Sequence, residues 1–168
     1  MARFIFVVFF SLLIQGFGPK DHANSKKLKG QMHGLFSNLT VVMPIYLNPI
    51  EFFDESNRKN VSKQLADIHS RTVAINSLLT KSDEEHQVLS SSLEHSAKMA
   101  LESYNKGIKG QANYFMGEML DTCMSCHTSR LSKGDSPFDL TKNVDMESLD
   151  GFSRAKILTI SRRFDKAM

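Results

Sequence analysis

Cys123, Cys126 and His127 lie in the segment Cys123-Met124-Ser125-Cys126-His127, and the chain has no other cysteine. Two thiols three residues apart, with an imidazole next to the second, form the C-x-x-C-H pattern, whose chemistry is covalent attachment of haem. Each residue has a task. The thiols add to the two vinyl groups as thioethers, and the spacing of three sets both sulfurs along one edge of the porphyrin. The adjacent imidazole binds iron as the proximal ligand. By composition, two cysteines fall into this arrangement about once in a thousand such chains. Three other readings use the same residues. A thioredoxin-like dithiol needs a βαβ setting that this sequence lacks, and a structural zinc site needs four ligands where the motif supplies three. The third is a local disulfide.

The elements that must position these residues read as helices. No proline interrupts the 87 residues between Pro49 and Pro137, which favours long helical runs. Leu28, Met32, Leu35, Phe36, Leu39, Val42 and Met43 recur at steps of three and four, giving one apolar stripe on a first helix over about 26–43. Pro44 and Pro49 are expected to close it. A second helix over about 57–79 carries Val61, Leu65, Ile68, Ile75, Leu78 and Leu79 on one face, with a turn at 80–82. Ser82 and Glu85 form a capping box for a third helix. Its expected core face is Leu89, Leu93, Ala97, Ala100, Leu101, Tyr104 and Ile108, and Gly107 and Gly110 bracket its end.

A fourth helix, over about 111–130, lines up Ala112, Phe115, Met116, Met119, Cys123, Cys126 and His127, so the haem hangs from its C-terminal half. Short joints between these four helices predict an all-α fold, an antiparallel four-helix bundle over about 26–130. A C-terminal extension, 131–168, opens on the loop Gly134-Asp135-Ser136-Pro137. It holds a fifth helix, marked by Phe152, Ile157, Ile160, Phe164 and Met168, that is expected to dock on the bundle. The sequence has no internal repeat and no strand pattern.

The N-terminus has the form of an export signal. Arg3 is its positive region, and 4–14 is apolar apart from Ser11. Polarity returns at Gln15, too early for the ~20 apolar residues of a membrane span. Residues 1–18 therefore read as a signal peptide sending the chain to the periplasm, with an uncleaved anchor or a buried helix as alternatives. Gly16 and Gly18 offer small residues for cleavage, although Pro19 resists a cut directly after Gly18. The remaining 19–168 read as one haem domain with no further span. It keeps about 37% apolar residues, thin for a core of this size, and a flat apolar macrocycle would make up the difference. A net charge of +3 excludes a strongly basic nucleic-acid binder.

An exported all-helical chain with a single C-x-x-C-H on its fourth helix resembles the class II c-type cytochromes, the cytochrome c-prime group and its low-spin relatives. The resemblance covers about 26–130, and its one strong motif is 123–127. It implies haem c inside a four-helix bundle, with a residue of the first helix facing the iron opposite His127. On that basis Met32 is the candidate distal ligand and Phe36 a pocket residue. A thioether on an apolar stripe is ordinarily core packing, and in that case Met32 becomes the lid of an open site. The resemblance also allows a homodimer through the first two helices. Two features depart from the family: Arg130 follows His127 by three rather than four, and the extension from Leu131 is long.

His33 is one residue from Met32 and so turned about 100° from the stripe. His69 borders the second helix's apolar face, and it, His95, His22 and His86 read as solvent-facing. Met116 and Met119 share a helix with His127 and read as core. Met146 lies in the extension as a minor candidate ligand, and Tyr104, Tyr114 and Phe115 are candidate haem-lining aromatics. The clusters Lys20, Lys26, Lys27, Lys29 and Arg154, Lys156, Arg162, Arg163, Lys166 read as solvated surface or as docking charge for an acidic redox partner.

The expected function is a periplasmic single-haem electron carrier serving redox partner proteins. The alternative is a five-coordinate cytochrome c-prime binding nitric oxide or carbon monoxide. An enzyme such as a peroxidase is a third reading, weakened because there is one haem motif and no His-acid pair near the distal stripe.

Overall fold

The structure, a computed structural model, describes residues 20–79, 84–129, 141 and 144–161. Every regular element among them is helical: α1 (Lys20–Tyr46), α2 (Pro49–Phe53), a 3-10 turn (Glu55–Asn57), α3 (Arg58–Leu79), α4 (Glu84–Asn105), α5 (Lys109–Ser129) and α6 (Gly151–Ile160). The fold is all-α, as expected. The four long helices are α1, α3, α4 and α5, and α6 is the fifth helix of the extension. Packing follows chain order: α1 lies on α3, α3 on α4, α4 on α5, and α6 on α5. α1 and α5 are not paired along their backbones.

Pro44 does not end the first helix. α1 runs on to Tyr46, because Pro44 is exposed and loses only the bond its missing N–H would have made one turn back. The true stop is Asn48, whose side chain caps α2 by accepting from Ile50 N at 3.1 Å, with Pro49 in the first turn of α2, where an absent N–H costs nothing. The sequence reading had no α2. This short helix presents Phe52, fully buried, between the ring of Tyr46 at 5.7 Å and that of Tyr104 at 5.2 Å. Tyr104 Oη donates to Phe52 O at 3.2 Å, and Lys109 Nζ donates to Phe53 O. Phe52 thus plugs the end of the molecule where α1, α4 and α5 begin or finish.

The α4–α5 joint is a Schellman turn. Ile108 N donates to Ser103 O and Gly107 N to Tyr104 O, with Gly107 at φ +75°, a left-handed conformation that a Cβ disfavours. The apolar stripes place most of the core where the periodicity put it. Leu35, Phe36, Leu39, Val42 and Met43 of α1, Val61, Leu65, Ile68 and Ile75 of α3, Leu93, Ala97, Ala100 and Tyr104 of α4, and Ala112, Met116, Met119 and Cys123 of α5 are buried in one cluster. Leu28 and Met32 pack against it half-buried.

Two expected core residues are exposed instead, Ile108 (49%), which follows the Schellman turn rather than α4, and Phe152 (69%), as is the candidate haem-lining Tyr114 (59%). In their place the helices bury small polar residues, Thr72, Ser90, Ser96 and Ser103, several of which bond back to their own helix or to a neighbour. Ser90 Oγ donates to Asn76 Oδ1 at 2.8 Å, and Asn76 Nδ2 to Glu94 Oε2 at 2.7 Å, joining α3 to α4. The Ser82 half of the expected capping box, and residues 1–18, lie outside the described residues.

Candidate functional site

Cys123 and Cys126 sit in the C-terminal half of α5, and His127 holds the next helical position. The side chain of His127 lies outside the described residues. A spacing of three on a 3.6-residue turn leaves the two cysteines about 300° apart in cumulative rotation, so they are neighbours on one flank, one turn apart. Cys123 continues the buried line of Ala112, Met116 and Met119 and is 9% exposed, while Cys126 is half-buried. The two stand as thiols with no disulfide between them. Burial pushes the Cys123 thiol up to about 12, and the neighbouring Cys126 adds to the effect. A thiol so placed is no nucleophile near neutral pH.

The donor set fits haem c. Two thiols and an imidazole occupy consecutive turns of one unbroken helix, beside an apolar wall that includes Met116, Met119 and Leu120. From α1, Phe36, buried, belongs to the same contiguous apolar cluster, and Met32 packs against it half-buried. These are the two α1 residues singled out from the sequence. The fold brings them into the cluster that holds Cys123, on the two long helices that do not run against each other.

The other candidates separate from this cluster. His33 is exposed. His95 is exposed too, although its ring meets Phe115 edge-on at 6.1 Å. Tyr114 faces outward against Phe115, which removes it from any interior lining. Tyr104 serves the Phe52 plug. His69 and His86 are half-buried, both more than expected, and Met146 packs half-buried against the core from the segment before α6. Among the described residues no group of three or more His, Cys, Asp or Glu side chains gathers that could hold a metal ion.

One set of residues near the motif escaped the sequence reading. Tyr46 of α1 reaches α5, its hydroxyl 3.7 Å from where a Cβ on Gly117 would stand. Burial, and then the charge of Asp121 one turn on, raise the Tyr46 phenol above its ordinary value. Asp121 in turn faces Lys156 of α6 at 2.5 Å. No periodicity links residues 46, 121 and 156; only the packing of three helices does.

No family model, curated protein or solved structure matches the chain. Among the described residues no helix is long and apolar enough to cross a membrane.

Proposed function

We propose that this chain is an exported single-haem c-type cytochrome that carries electrons in the periplasm. One observation carries the reading: the C-x-x-C-H at 123–127 lies on an unbroken helix whose inner face is apolar. In this role Cys123 and Cys126 hold the macrocycle through thioethers, and His127 binds its iron. Haem supplies one-electron chemistry between the ferric and ferrous states. Phe36, Leu39, Met43, Met116 and Met119 keep water from the interior, and Met32 would be the further side chain offered to the iron. Because Cys123 is buried, its thiol would be reached only before the end of α5 packs, or while it is open.

The fifth-position-only alternative, a cytochrome c-prime that binds carbon monoxide or nitric oxide, has one observation in its favour. Met32 is half-buried, and α1 does not run against α5, which leaves room for Met32 to serve as a lid rather than a ligand.

The visible spectrum of the reduced, export-matured protein, before and after carbon monoxide, tests both. An unchanged spectrum supports the carrier, and Met32→Ala should then make it respond. A large shift in the unmutated protein supports the gas-binding reading. Cys123→Ser with Cys126→Ser should abolish covalent haem staining. Staining that survives both changes ends either reading.

A further inference from the structure

α6 packs on α5, the helix that carries the motif. Its apolar side, Ile157 and Ile160, joins Val144 in the same buried cluster as Met116, Met119 and Cys123. Its polar edge meets α5 through one ion pair. Lys156 Nζ stands 2.5 Å from Asp121 Oδ1, and the Lys156 side chain is only 16% exposed. The ammonium also lies 4.6 Å from the centre of the exposed Phe152 ring. Asp121 Oδ1 is itself buried with no hydrogen bond, while the rest of the Asp121 side chain reaches solvent at 45% exposure. Among the described residues Lys156 is the one cation within ion-pair distance of it. Behind Asp121, one turn back, Tyr46 closes over Gly117.

The buried Asp121 oxygen is answered, among the described residues, by Lys156 alone, and losing that cation leaves the oxygen without a partner. That contact joins the C-terminal helix to the α5 turn that ends at Cys123. We propose that Asp121 and Lys156, backed by Tyr46, form a latch that holds α6 against the C-x-x-C-H helix. Opening the latch admits solvent and small molecules to the interior around Cys123. In the haem-loaded chain, a consequence that rests on the function proposed above, the same opening governs how fast carbon monoxide enters.

The first test needs no haem. The full-length haem-free chain is treated with iodoacetamide, and Cys123 and Cys126 are read separately by peptide mass spectrometry. Lys156→Glu sets two carboxylates against each other and should speed Cys123 alkylation about tenfold while leaving Cys126 as it was. The swap of Asp121→Lys with Lys156→Glu should restore protection. Lys98→Glu, the same charge change on α4, should do nothing. If circular dichroism finds Lys156→Glu unfolded, Lys156→Gln removes the cation alone and should still speed Cys123. Unchanged Cys123 protection in folded Lys156 variants, or a swap that fails to restore it, overturns the latch.

Carbon monoxide association with the loaded Met32→Ala protein, whose iron is open on the carrier reading, then tests the last consequence. A faster rate when Lys156→Gln is added supports it, and an equal rate removes it. Loss of haem staining in the unmutated protein would strike the function, whereas the thiol result would still decide the latch.

Discussion

Gly34 has no Cβ, and Arg71 lies where one would be. A methyl built there falls 2.1 Å from Arg71 Nη1 and 2.2 Å from its Cζ. The guanidinium is seated across α1 by two amides. Nε donates to Asn38 Oδ1 at 3.0 Å, Nη1 to Gln31 Oε1 at 3.4 Å, and Asn38 Nδ2 donates onward to Gln64 Oε1 at 2.8 Å. In Gly34→Ala the flexible end of Arg71 gives way, and the better helix propensity of alanine, about 1 kcal/mol, is offset by the loss of these bonds at about 1 kcal/mol. Once Arg71→Ala has emptied the seat, the same glycine change should stabilise by about 1 kcal/mol. A double-mutant cycle by urea unfolding reads the difference, and strictly additive changes would mean that Arg71 does not rest on Gly34. The sequence marked neither residue. A lone glycine and a lone arginine 37 positions apart have no pattern, whereas Cys123, Cys126 and His127 were legible because their chemistry demands adjacent positions.

At the scale of elements, α6 depends on its cap. Asp150 Oδ1 accepts from Phe152 N at 2.9 Å and Ser153 N at 3.0 Å, and Ser153 Oγ donates to Oδ2 at 2.6 Å. The bonds from the Ser153 side chain and backbone, and then from the Phe152 backbone, hold the Asp150 carboxyl below the usual carboxylate range. A lowered value means the folded state favours the charged form. The capping contribution is therefore full above the ordinary carboxylate pKa and is lost as pH falls through the lowered one. The protection of the 151–161 amides, their exchange corrected for the intrinsic rate at each pH, should fall as the pH drops from about 7 to about 3, with α3 and α4 protected throughout. Asp150→Ala should show low protection at both ends of that range, and a cap without influence would leave α6 equally protected in both chains.

The helices themselves were readable because a 3.6-residue repeat leaves its mark on an apolar stripe. What failed were the ends. Pro44 was read as a stop although a helix tolerates proline on an exposed side near its last turn, and the Asn48 cap that does restart the chain at α2 was passed over. Ile108 was given to the core of α4 because its spacing fits, but Gly107 had already turned the chain.

For the whole molecule, three acids bear on alkaline stability, Cys123 and Tyr104 buried and Tyr46 half-buried. Burial raises the Cys123 thiol to about 12 and lifts the Tyr46 and Tyr104 phenols above their ordinary value. In each case the folded state holds its proton more tightly than the unfolded chain does. Their stabilising contribution is thus complete below the unfolded values, about 8.5 for a thiol and about 10 for a phenol, and is lost as pH rises through the folded ones. The urea midpoint of the haem-free chain should fall steadily from about pH 8 to pH 11. Cys123→Ala should remove the earlier part of that fall and leave the phenol part. A midpoint that stays level over the range would contradict the burial of Cys123.

The sequence by itself determined the all-α class, four long helices and a fifth, most of their buried faces and the C-x-x-C-H motif, because local propensity, repeat and adjacency all act within a few residues. Only the tertiary structure decided that Phe52 plugs one end, that α1 and α5 stay apart, that α6 docks on the motif helix, and that Tyr46, Gly117, Asp121 and Lys156 meet there. Those contacts join residues far apart in the chain, and the desolvation and charge that make them matter exist only once the helices have packed.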